Sequence, residues 1–270
     1  MRNRSSILPS YRKPPIDEVV SGMRFLIPSD LRITHIGLLW NKFRKDYPNT
    51  QHALPIAMTK GEIPVESVTG LPLPRVWFIN EKDDQLIQFQ SDRFYYNWRR
   101  RKDEYPRYQH VIKNFEHVLN TVMDFFNEFA LGPFKPLEYE LTYINHIPQG
   151  QGWDSVKDLK GVFQDFNWNA TAHSFLQDPS AVSWQSAFEL PENKGRLNVG
   201  LRMATRTTDK VPLLVLELRT IGIGESSTGG AFREWFDLAH EWIVRGFTDL
   251  TTPSIQKIWE REDNVSDSEQ

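Results

Sequence analysis

The hydrophobic positions change period several times along the chain, and each change marks an element. From Glu18 to Ile27, EVVSGMRFLI is β-rich and bounded by Pro15 and Pro28, so it reads as a strand. In THIGLLWNKFRKDYP, Ile36, Trp40, Phe43 and Tyr47 recur at helical spacing, with Thr34 as candidate N-cap and Pro48 just past the end. Pro55, Pro64, Pro72 and Pro74 exclude a helix between residues 50 and 74 and leave at most edge-strand segments. RVWFI, LIQFQ and RFYYNW follow at hairpin spacing, separated by NEKDD and SD turns. From Tyr108 the period lengthens again. Val111, Ile112, Phe115, Val118, Leu119, Val122, Phe126 and Phe129 draw a long helix that Gly132 and Pro133 stop.

The same order then recurs. LEYELTYINHI alternates as a strand, and WDSVKDLKGVFQDF spaces Leu159, Phe163 and Phe166 like a helix behind an Asp154 cap. AVSWQSAFEL, GRLNVGLRMAT and PLLVLELRTIG read as three strands joined by PENKG and TTDK turns. AFREWFDLAHEWIVRGF places Phe232, Trp235, Phe236, Ala239, Trp242, Ile243 and Phe247 on one stripe, and Pro253 opens a short terminal helix. The predicted fold class is therefore α+β. It comprises two similar strand, helix, three-strand, long-helix modules that form antiparallel sheet with helices on one face. The expected boundaries are a tail over 1–13, modules over 14–135 and 136–262, and an acidic, disordered tail over 263–270.

Composition narrows the function classes. With 39% hydrophobic and 13% aromatic residues in 270, the chain is not wholly disordered. A net charge of -3 lacks the positive excess of a dedicated nucleic-acid binder. The absence of Cys removes disulfides, thiolate nucleophiles and Cys-ligated zinc. No apolar run reaches the roughly 18 residues of a membrane span, and the start has no apolar signal core, so the expectation is a cytoplasmic protein without membrane contact.

FYYNWRRRKDEYPRY interleaves aromatic and basic residues, a pattern that can stack bases and neutralise phosphates. Strand alternation puts Phe94, Tyr96 and Trp98 on one face, so they belong to a core. Arg99, Arg100, Arg101, Lys102 and Arg107 then sit near the sheet rim, beside Asp103 and Glu104. A compensated loop is the first reading and nucleic-acid contact the alternative. TIGIGESSTGGAF, with Gly222, Gly224, Gly229 and Gly230, fits neither phosphate-loop spacing and reads as a flexible connection. No His pair has metal-ligand spacing, so no metal or cofactor is expected. His240 lies near the apolar stripe of the last long helix, where a hydrogen-bonded packing role is expected. His146, at a strand end, is the candidate base.

The helix-free sheet face is expected to carry Gln88, Asn97 and Arg99 in the first module, and Gln185, Glu189, Asn198, Arg202, Glu217 and Arg219 in the second. Recognition of a protein partner, or self-association, through this face is the leading expectation. Arg99, His146, Asn198, Arg202, Glu217 and Arg219 are its candidate contacts. A small-molecule sensor or enzyme centred on His146, Arg202, Glu217 and Arg219 is a further alternative.

PPIDEVVSGMRF, PRVWFIN, LIQFQSDRFYYNWR, YPRY, ELTYINHI and AHEWIVRGFTDLT with a terminal IWER together resemble a sporadically distributed prokaryotic protein family of unknown function. The resemblance spans Pro14 to Arg261. It implies a prokaryotic accessory locus, mobile or defence-linked, and a non-enzymatic binding or regulatory protein fits that setting. It carries no catalytic residue to transfer.

Overall fold

The computed structural model describes residues 7–57, 63, 65, 66, 68–102, 104–168, 175–224 and 230–262. The acidic tail over 263–270, Gly229 and Asp103 lie outside them.

In chain order the elements are β1 (Ser10–Tyr11), β2 (Ile16–Phe25), α1 (Ile33–Phe43), β3 (Asn49–Ala53), β4 (Arg75–Ile79), β5 (Gln85–Gln90), β6 (Arg93–Arg99) and α2 (Tyr108–Glu128). They continue with β7 (Pro136–Pro148), a 3-10 turn (Val156–Asp158), α3 (Leu159–Val162), β8 (Ser183–Glu189), a second 3-10 turn (Pro191–Asn193) and β9 (Arg196–Thr205). β10 (Pro212–Ile223), α4 (Gly230–Leu250), α5 (Pro253–Ile258) and β11 (Arg261–Glu262) follow among the described residues. The architecture is α+β, with helices against antiparallel sheet. Among the described residues, no helix is long and apolar enough to cross a membrane.

By packing, the chain forms two compact units, and neither is continuous in sequence. One holds residues 18–142 and 221–236; the other holds 1–17, 143–220 and 237–270. β2, β7, β10 and α4 each contribute residues to both units.

In the 18–142 unit the strand order is β3-β4-β5-β6-β2-β7. The hairpins predicted from the short turns form in register, with Trp77 opposite Gln88 and Gln88 opposite Tyr95. Val19, Met23, Phe25, Phe78, Ile87, Phe89, Phe94 and Tyr96 are buried and face the helices. Phe94 stacks on Phe115 of α2 at 5.5 Å, and Phe43 of α1 lies 6.1 Å from Phe78. The first two turns of α4 complete this core, with Phe236 5.2 Å from Phe115 and 5.8 Å from Tyr139. Burial of this many rings supplies most of the driving force, since each buries roughly 150–250 Å².

In the 143–220 unit the order is β7-β10-β9-β8. Leu197, Val199, Leu201, Leu214, Leu216 and Leu218 are buried. Gly246 of α4 lies so close to the sheet that a Cβ there would stand 3.1 Å from Leu197 Cδ2 and 3.8 Å from Leu218 Cδ2. That contact identifies which side of β9 and β10 the helix covers. β1 and β11 pair separately, with Tyr11 opposite Arg261.

Two local expectations are corrected. The helix foreseen over residues 154–166 shrinks to a 3-10 turn and the single turn α3. Phe163 leaves the helix with extended backbone and forms a bridge to Thr251, so tertiary pairing replaces the helical ladder. Ser155, not Asp154, caps this start, in a box with Asp158. At α1 the N-cap is Arg32 instead of Thr34, because the His35 ring accepts the Arg32 backbone N–H at 3.0 Å. By contrast, Thr252 caps α5 by accepting from the Ile255 N–H, with Pro253 in the first turn.

Candidate functional site

Gly246 lies against Leu197 and Leu218, and strand alternation then fixes the opposite face of this unit. Asn198 and Arg202 of β9 and Glu217 and Arg219 of β10 all stand on that helix-free face. Asn198 and Arg219 are joined directly, as the Asn198 Nδ2 donates to the Arg219 carbonyl at 3.3 Å. Register extends the row onto β8, with Arg202 opposite Ser183, Asn198 opposite Ala187 and Arg196 opposite Glu189. The last pair is an exposed ion pair at 2.9 Å, of the kind that contributes little to stability. Arg202, Gln185 and Glu189 are exposed, whereas Asn198, Glu217 and Arg219 are half-buried.

β7 places His146 on the side opposite Tyr143, whose hydroxyl lies 3.1 Å from His240 Nδ1 on α4. His240 is thus engaged in packing on the helix side. His146 Nδ1 is 3.3 Å from Asp17 Oδ1, and its backbone N–H donates to the Pro15 carbonyl. A His–Asp pair of this type orients an imidazole. Among the described residues no group of three or more His, Asp or Glu side chains is arranged to hold a metal ion.

The 18–142 unit departs from the expected open polar row. Gln88 and Asn97 do occupy the helix-free face, yet they are spent on each other. Arg75 donates to Gln88 at 3.1 Å, Gln88 to Asn97 at 3.0 Å, and Asn97 to Glu18 at 2.6 Å. This diagonal chain crosses four strands from a guanidinium to a carboxylate, and Asn97 is buried within it. Gly22 lies beneath the Tyr95 ring on the same face, where an added Cβ would overlap Cδ1 and Cε1 of that ring. The guanidinium of Arg75 lies over Trp77 at 5.6 Å. Burial holds its pKa below the usual arginine value. At the tip of the β5–β6 hairpin, Asp92 and Arg93 form a buried pair at 2.7 Å. Gln90 ties Asp92 to the Ile56 carbonyl.

The basic stretch behaves as a compensated rim. Phe94, Tyr96 and Trp98 are buried on the helix side. Asp83 receives both the Arg99 and Arg101 guanidinium groups, the latter at 2.9 Å. Burial lowers the Arg99 pKa against the opposing pull of Asp83. Arg107 is the exposed N-cap of α2 at φ 73°, and Lys102 is exposed.

Sequence reasoning did not single out Arg75, Trp77, Glu18, Asp92 or Arg93. The two hairpin registers were the available signal, since they bring Arg75, Gln88 and Asn97 onto one diagonal. Compared with protein families, curated proteins and solved structures, the chain shows no match.

Proposed function

We propose that the protein is a non-enzymatic binding protein that recognises a partner protein through the helix-free sheet face of the 143–220 unit. Asn198, Arg202, Glu217 and Arg219 are its contact residues. The observation that carries this reading is that these four side chains share one face of two adjacent strands, opposite the face Gly246 seals. Their mix of both charge signs with an amide suits a polar, specific interface. The 18–142 unit contributes Arg99 less readily, because Asp83 already engages it. An accessory, mobile or defence-linked prokaryotic locus is the setting proposed for this activity, and the resemblance of the sequence segments to a sporadically distributed prokaryotic family supports it.

The test is affinity capture with the full chain from its host, followed by reconstitution with the purified partner. Arg202→Glu, at an exposed position, should weaken binding by about tenfold or more through like-charge juxtaposition. A partner bound equally by the variant, or a chain that stays monomeric and retains no stoichiometric protein, overturns the proposal.

A further inference from the structure

A second surface, on the helix side of the 143–220 unit, is independent of the polar face. A cleft of about 220 Å³ opens where α4 ends its cover of the sheet, and its lining includes Phe188, Leu197, Trp242, Asp165, Asp249 and Arg245. A smaller recess continues it past Trp184, Phe166 and Leu201. β8 forms the outer lip. Trp184, Ser186 and Phe188 lie opposite Leu201, Val199 and Leu197 and so face the helix side. Phe188 nevertheless remains 43% exposed, because α4 is seated over β9 and β10.

Three features converge here. First, β8 ends the strand order and, among the described residues, pairs with β9 alone. Its outer edge offers backbone N–H and C=O groups to an added strand. Second, SWQSAFE carries none of the Lys, Arg or Pro residues that commonly blunt an exposed edge, and its one charge sits at the last position. Third, Asp165 and Asp249 are exposed in the cleft and have no ion-pair partner among the described residues. The Arg245 charge beside them is offset by Glu241 at 2.7 Å. The cleft therefore combines aromatic walls with an excess of negative charge. That combination suits a cation on an apolar stem, which Trp faces attract further.

We infer that the β8 edge and this cleft form a docking site for an extended peptide segment of a partner, which adds as a strand to β8 and places a Lys or Arg side chain between Trp242, Phe188 and the two aspartates. In an added strand alternate side chains point to the helix side. One of them then enters the cleft while the backbone pairs with β8.

The experiment uses the full chain and end-capped heptapeptides of alternating Val and Thr. The central residue is Lys, Arg, norleucine or Glu, and binding is read by calorimetry and tryptophan fluorescence. Lys and Arg peptides should bind about tenfold or more tighter than the norleucine and Glu peptides. Asp165→Asn/Asp249→Asn, both exposed positions, should erase that preference with circular dichroism unchanged. Backbone N-methylation of the Lys peptide should abolish binding, and the β8 amides should gain exchange protection only with the unmethylated peptide. Equal binding of all four peptides, binding of hexylamine as tight as that of the Lys peptide, or a β8-dependent homodimer in sedimentation each overturns the inference. Arg202→Glu should leave peptide binding unchanged, so failure of this site and failure of the polar-face proposal are separable.

Discussion

Gly22 and Tyr95 show how one residue sets the character of a sheet face. They are paired in register on β2 and β6, and the absent Cβ of Gly22 lets the phenol ring lie flat across the neighbouring strand. The ring restores cross-strand packing that a glycine otherwise forfeits. Gly22→Ala should therefore destabilise the protein by about 1–3 kcal/mol through overpacking. Tyr95→Ala alone should also destabilise it, while the double variant should lose much less than the sum, as expected for side chains in contact. Urea unfolding of the four proteins measures the cycle, and strictly additive losses would refute the packing account. Gly22 was legible in the sequence only as a glycine inside a strand pattern. What occupies the space above it depends on strand pairing, which no local signal supplies.

Among the elements, the segment after β7 departs furthest from its periodicity. Leu159, Phe163 and Phe166 have helical spacing, but Thr251 and Thr252 intercept the backbone there. The Thr252 hydroxyl donates to the Gly161 carbonyl, and its N–H donates to the Val162 carbonyl at 2.9 Å. What remains helical depends on its cap. Asp158 accepts the N–H groups of Asp154 at 3.1 Å and Ser155 at 2.8 Å, and these bonds hold its carboxyl below the usual aspartate range. A depressed folded-state pKa contributes stability that is fully present above the unfolded value of 3.8 and is lost as pH falls through the folded value. The wild-type chain should thus be more stable than Asp158→Asn near neutrality, and the difference should shrink as pH drops below the ordinary aspartate value. Denaturant midpoints measured across that acid limb test this, and parallel curves would reject it.

For the whole molecule, packing and sequence order divide the chain differently. Residues 14–135 contain a complete strand, helix, strands, long-helix series, yet Phe115 of α2 packs on Phe232 and Phe236, which lie about a hundred residues further on. A fragment covering residues 14–135 should lack a cooperative thermal transition and near-ultraviolet dichroism, whereas the full chain has both. A sharply melting fragment would show that those distant rings are dispensable. The sequence by itself determined the alternation of strands and helices, the hairpin turns, the start of α5 at Pro253 and the core side of Phe94, Tyr96 and Trp98 on β6. These follow from side-chain periodicity and turn chemistry, which act within a few residues. Only the tertiary structure decided that Asn97 is consumed by Glu18 and Gln88, that Asp83 neutralises Arg99 and Arg101, and that Asp165 and Asp249 share a cleft with Trp242. Each of these depends on register and on the seating of α4, which arise from contacts between segments far apart in the chain.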